Sequence, residues 1–215
     1  MSWQSLRFIA TGIGATLLIT AAAFLIGSIL GVVITIARRS SNRLISALGR
    51  VWVEIIRSAP PVVWLFLVFF GLPQAGVKFS PLVAAIFTFG LVASTYISEI
   101  YRSGLSSIGV GQFEASAAVG LSSFDSARFI IVPQVFRVIG PTMATYAIGL
   151  LKDSALASTI GVVDLAFRAS LEYQRTGQGL TIFGIVGLIY LLLSLPLAVV
   201  SRRVDSRLRA RFSVA

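Results

Sequence analysis

Four acids stand within or beside long apolar runs of this sequence: Glu54, Glu99, Asp153 and Asp164. A carboxylate placed at membrane depth is costly, so each needs a partner or a task. Arg102 follows Glu99 by three residues and Arg57 follows Glu54 by three. On a helix both members of such a pair share a face, so each reads as a structural ion pair at the edge of the apolar layer. Lys152 and Asp153 precede "SALAST", a hydroxyl-rich segment starting at Ser154 that is able to hydrogen-bond a zwitterion. The competing reading is a lysine snorkelling toward headgroup water beside a solvated acid. Asp164, in "GVVDLAF", is placed to meet either a ligand ammonium or plain solvent. Lys152, Asp153, Ser154, Asp164 and Glu99 are therefore the candidate solute-pathway residues.

Other chemistry is scarce. The chain has no cysteine and no histidine, which removes disulfides, thiolate nucleophiles, histidine-based triads and the usual zinc ligands. No pair of carboxylates, and no nucleophile with a base, has spacing that would build a membrane-embedded enzyme. The Walker A pattern G-x-x-x-x-G-K-[ST] is missing too, so ATP binding and hydrolysis are expected on another polypeptide. Neither a catalytic residue, a metal nor a cofactor is expected.

The elements that must position these residues follow from composition. Of 215 residues 56% are hydrophobic and only 12% charged, against about a quarter charged in soluble domains. An all-α integral membrane protein is predicted, forming one domain over residues 1–215. Five spans are expected, at about 8–37, 51–73, 81–101, 133–151 and 180–200, with a polar loop at about 102–132. In the first, "GSILG" (Gly27 to Gly31) is a small-xxx-small step that lets another helix approach closely. The second contains a double proline near its start and Gly71 and Pro73 near its end, places where proline is cheap. No charged stub, short apolar core and cleavage site occur in order, so the opening segment is expected to stay in the mature chain.

A net charge of +10 would suit nucleic acid, but the basic residues flank apolar runs. With the N-terminus outside, the inner segments hold Arg38, Arg39, Arg43, Arg50, Arg57, Arg102, Arg128, Arg137 and the five arginines from Arg202 to Arg211. The outer ones hold Arg7, Lys78, Lys152, Arg168 and Arg175. Thirteen against five accounts for all 18 Lys and Arg. The positive-inside rule then sets the C-terminus and the polar loop in the cytoplasm, with no nucleic-acid partner.

That loop contains "EASAAVGLSSFDSARFIIVP", Glu114 to Pro133. Gln112 to Val119 has the periodicity of a short helix, and Gly120 is a residue that closes helices. Ser122 followed by Asp125 fits a capping box for a second helix. An ordinary loop containing Gly and Ser is the other reading of the same pattern. Beyond the fourth span, Leu156 to Phe167 is expected as a hydrophobic outer helix able to close the pathway. "ASLEYQRTGQG" is expected as a surface loop open to a docking partner.

The spacing of Glu114, Ala115, Gly120, Ile130 and Pro133 resembles the EAA loop of permease subunits of bacterial ATP-driven importers. Its pattern is E-A-A, three residues, G, nine residues, I, one residue, L-P. Here Ser116 replaces the second alanine and Val132 the leucine. "EIIRSAPPVVWLF" resembles the RGTP segment of the polar-amino-acid uptake permeases, "STYISEIYRSGLSSIGVGQFEAS" their third span and following loop, and "LLKDSALAS" their KDTSL segment.

The resemblance, which covers about Thr16 to the last span, implies the type I ABC importer permease fold. It implies a coupling helix at Glu114, Ala115, Ser116, Gly120 and Leu121, with Pro133 closing the motif, seated in a groove of a cytoplasmic ATP-binding subunit dimer. It further implies a second permease copy, identical or a close paralogue, an extracytoplasmic solute-binding protein, and residence in the bacterial inner membrane. A membrane scaffold or embedded enzyme without an ATPase partner is the alternative.

Overall fold

The computed structural model describes residues 2–212, and among them every regular element is helical. Helix α1 (Trp3–Ala10) is capped by Ser2 and leads into α2 (Ile13–Arg38). Helix α3 (Arg43–Ser58) starts at Asn42, whose side chain accepts from the amides of Leu44 and Ile45. Next come α4 (Pro61–Phe66), extended by a π turn and a 3-10 turn to Ala75, and α5 (Pro81–Ser106). The polar loop forms α6 (Val110–Ala118) and α7 (Ser123–Asp125), and a π turn at Ser126–Ile131 runs into α8 (Val132–Asp153). A 3-10 turn (Ser154–Ile160), α9 (Leu165–Thr176) and α10 (Gly179–Phe212) complete the chain.

Among the described residues, three helical stretches are long and apolar enough to cross a membrane: Trp3–Arg38, Pro81–Ser106 and Gly179–Val199. Two more qualify only as bent pairs. The expected run at 51–73 is broken, because Arg43–Ser58 and Pro61–Ala75 meet at 97°. Ala59 and Pro60 are both extended, each held there by the proline that follows it. The other pair, Ser123–Ile160 with Leu165–Thr176, bends by 54°.

The segment after α8 also departs from expectation. Leu156 to Phe167 is not one helix: Gly161 at φ +86° ends the 3-10 turn, and α9 starts afresh at Leu165. "ASLEYQRTGQG" is no open loop either, since α9 continues to Thr176 and Gly177 at φ +70° stops it. Its Arg175 reaches Glu172 at 2.6 Å and Ser5 of α1 at 3.3 Å.

Helix α5 is the centre of the packing. Gly27 of α2 faces Ala93, where an added β-carbon would come within 2.5 Å of the Ala93 methyl, and Gly90 of α5 faces Ile26. Thr35 Oγ1 donates to Gly31 O at 2.7 Å and reaches Ser98 O at 3.3 Å, and Tyr101 donates to Ser28 O at 3.3 Å. Small residues plus interhelical hydrogen bonds are what hold helices together where lipid offers no hydrophobic gain. The small-xxx-small step thus serves a crossing inside the chain. On α5's far face Gly104 lies against Ile139 of α8. Outward, Leu17, Leu25, Ile29 and Val33 of α2 and Leu188, Leu191 and Leu192 of α10 are exposed, a surface suited to hydrocarbon. The side chains of Arg203, Arg207, Arg209 and Arg211, part of the charge count, lie outside the described residues.

Candidate solute pathway and coupling loop

Helix α6 is short, and it ends the way its sequence dictates. Gly120 takes φ +76°, which lets its amide bond Ala117 O at 3.0 Å and the Leu121 amide bond Ser116 O at 3.1 Å. Ser122 then caps the restart, accepting from the Asp125 amide at 3.1 Å and donating to its carboxylate at 2.6 Å. Glu114 and Ala115 are exposed, as are Phe113, Ala117 and Val119, while Leu121 is half-buried and Pro133 lies exposed in the first turn of α8. Ser116 instead points inward. It donates to Phe113 O at 2.8 Å, and its Oγ lies 2.6 Å from Ser126 Oγ. Gln134 of α8 donates to Gln112 of α6 at 2.9 Å. The sequence points to no role for Ser126 or Gln134, and to Gln112 only as the start of a short helix. Their one sequence trace is that Ser116, where the family pattern has alanine, is matched by a second serine ten residues on.

Two cavities flank one aromatic residue. The first, about 310 Å³, is lined by Pro61, Phe89, Tyr96, Thr145, Tyr146 and Asp153 among others. The second, about 370 Å³, is lined by Arg38, Val53, Glu54, Arg57, Ser58, Tyr96 and Glu99. Tyr96 is common to both. Its ring stacks on Tyr146 at 5.7 Å with an interplanar angle of 21°, and the Arg57 guanidinium sits 4.8 Å from its centroid. Such a cation over a ring is worth about 0.5 to 2 kcal/mol, depending on desolvation.

Glu99 does more than pair with Arg102. Arg102 Nε is 2.8 Å away, but Arg38 Nη1 of α2 is at 2.7 Å and Arg57 Nη1 of α3 at 3.8 Å. One carboxylate therefore gathers α2, α3 and α5. The expected Glu54–Arg57 pair is replaced, since Arg57 turns toward Tyr96 and Glu99; among the described residues Glu54 has no ion pair. Neither Tyr96 nor Tyr146 is visible to a reading centred on acids, although Tyr96 lies one helical turn before Glu99.

The other expected site residues are dispersed. Lys152 lines a separate cavity with Ala155, Gly187, Tyr190, Leu191 and Ser194, because adjacent helical residues point about 100° apart. Ser154 is fully buried and its hydroxyl donates to Leu151 O at 2.8 Å. Asp164 meets no solvent: it is fully buried and caps α9, accepting from the Phe167 amide at 2.8 Å. Gly12 packs on its carbonyl, leaving no room for a β-carbon. The second carboxylate oxygen of Asp164 has no hydrogen-bond partner among the described residues.

The chain's residues 23–210 match the family model described as binding-protein-dependent transport system inner membrane component. The chain belongs to this family. Among binding-protein-dependent transport components it is 36% identical over 187 residues to the probable amino-acid ABC transporter permease protein YckA of Bacillus subtilis, covering 87% of this chain and 83% of that one. With the arginine transport system permease protein ArtQ of the same organism it shares 33% over 204 residues, covering 94% and 93%. A crystal structure of an amino acid ABC transporter with histidines superposes with a TM-score of 0.88 at 28% identity over 95% of both chains. The inward-facing MetNI methionine transporter gives 0.76 at 22% identity, a likeness of fold. The fold is thus that of a type I ABC importer permease. As a binding-protein-dependent transport component, the chain is a membrane-embedded transporter subunit rather than an enzyme.

Proposed function

We propose that the chain forms the membrane pathway of an ATP-driven importer for a polar amino acid or related small polar solute. Paired with a second permease copy, identical or a close paralogue, it receives solute from an extracytoplasmic binding protein. Helix α6, with Glu114, Ala115, Ser116, Gly120, Leu121 and Pro133, engages a cytoplasmic ATPase dimer. The N-terminus is outside and the C-terminus in the cytoplasm.

The observation that carries this reading is the arrangement around Tyr96. A cavity with the acid Asp153 lies on one side, between α5 and α8, which the exposed α6 joins; on the other, between α2, α3 and α5, lies a cavity holding Arg38 and Arg57 beside Glu54 and Glu99. Asp153 suits a solute ammonium, and Arg38 or Arg57 suits its carboxylate. Motion imposed on α6 reaches both walls of the first cavity, which is what alternating access requires. Glu99 lines the second cavity while held by Arg38 and Arg102, and Lys152, Ser154 and Asp164 line neither cavity.

Affinity-tagged protein is expected to bring an ATPase with it, and Glu114→Lys to remove both that ATPase and uptake. Asp153→Asn is expected to weaken uptake of cationic and zwitterionic amino acids while the ATPase still co-purifies. A tagged chain that never brings an ATPase, together with undiminished uptake in Glu114→Lys, would overturn the proposal.

A further inference from the structure

Helix α3 carries three distinct faces. Ser46, Val53 and Ile56 are buried, and Ser46 donates to Arg38 O at 2.8 Å. Leu44, Leu48, Val51 and Ile55, spaced i, i+4, i+7, i+11, form an apolar stripe between 50% and 67% exposed, and Trp52 borders it at 41%. Arg43 and Arg50, seven residues apart and both exposed, line the edge next to it. The only acid on the helix is Glu54.

We infer that α3 lies in the plane of the bilayer surface, with its apolar stripe in the acyl-chain boundary and Arg43 and Arg50 on anionic phospholipid headgroups. Three observations commit the stripe to lipid. First, the 97° bend sets α3 across the segment Pro61–Ala75, whose Leu65 packs in the core with α5. Helix α3 is not itself among the stretches long and apolar enough to cross a membrane, and the bend leaves it running across that core segment and not alongside it. Second, Ser46 and Arg57 sit at opposite ends of α3, yet both lead to Arg38 at the end of α2. One bonds the Arg38 carbonyl and the other approaches the Glu99 oxygen that Arg38 also holds. Third, the neighbouring end of α2 is itself apolar and exposed, Ile36 being 66% exposed two residues before Arg38. An apolar stripe bordered by arginines with a tryptophan beside it is the pattern of an interfacial helix. That the leaflet is the cytoplasmic one rests on the proposed orientation; the in-plane placement does not.

The chain's lack of cysteine makes the test direct. Leu44→Cys, Leu48→Cys, Val51→Cys and Ile55→Cys, each in the full-length protein, are spin-labelled and reconstituted in vesicles of phosphatidylethanolamine and phosphatidylglycerol. Depth is read from collisions with oxygen and with a nickel chelate. All four labels are expected at one shallow depth. A steady change, approaching the roughly 16 Å that eleven residues of spanning helix traverse, would overturn the inference. So would four labels shielded from oxygen, which would place a second copy on the stripe. Arg43→Glu with Arg50→Glu is expected to lower, several-fold, the phosphatidylglycerol retained on purification, counted by mass spectrometry; unchanged retention would refute the headgroup contact. Neither readout needs an ATPase or uptake, so failure here is distinct from failure of the transport reading.

Discussion

Ser116 Oγ lies 2.6 Å from Ser126 Oγ inside the turn that separates α6 from α8. Because Ser116 gives its hydroxyl hydrogen to the Phe113 carbonyl, Ser126 is left as the donor of the pair. Both serines are buried, so the contact fixes how α6 stands relative to the start of α8. Ser116→Ala should leave the Ser126 hydroxyl unsatisfied and cost about 1 kcal/mol. Replacing both by alanine should cost less than the single change predicts. Thermal unfolding of the two variants in detergent checks the order.

Glu99 is the shared acceptor of Arg38 and Arg102, with Arg57 close by. Glu99→Gln should lower stability by about 2 kcal/mol, since Arg38, only 13% exposed, keeps its charge and loses its partner. Arg102→Ala, on a half-exposed side chain, should cost about 0.5 kcal/mol. Equal losses in the two melting curves would mean that Glu99 does not gather the helices.

Asp164→Ala should remove the α9 cap at a cost of about 1 kcal/mol, whereas Asp164→Asn should keep most of it. If uptake by the asparagine variant fell while its melting temperature held, Asp164 would be acting on solute and not on the helix. The expected result is near-normal uptake with near-normal melting.

Gly27→Ala should drive a methyl into Ala93 and destabilise the α2–α5 crossing by about 1 to 3 kcal/mol. Adding Ala93→Gly should restore part of the loss. Failure of the second change to help would show that the strain lies with the α5 backbone near Ser94 and not with the facing methyl.

What the sequence disclosed, and what it withheld, divides along the range of the interactions. Gly120, Ser122 and Asp125 are legible because a helix end is settled by residues within about a turn. The burial of Asp164 is not legible, because Gly12 of the α1–α2 junction, which packs against it, lies at the other end of the chain. The break at Ala59 and Pro60 follows from proline sterics, but the apolar residues on both sides of it count as one run at 51–73, and a proline near a span's end is cheap enough to pass without notice. Tyr96 and Tyr146 meet only because α5 and α8 pack, and nothing local in either helix names the other. The Glu54–Arg57 expectation fails for the same reason: spacing puts the two on one face, but Tyr96 and Glu99 draw the guanidinium away.

The glycine notches between α2 and α5 have a mechanical consequence. With Gly27 set against Ala93 and Gly90 against Ile26, neither helix can roll or slide on the other without pushing a side chain into backbone. The two behave as one stiff beam. The beam runs from Ser106, where α5 gives way to α6, to Arg38, and the Ser46 hydroxyl ties α3 to that same end.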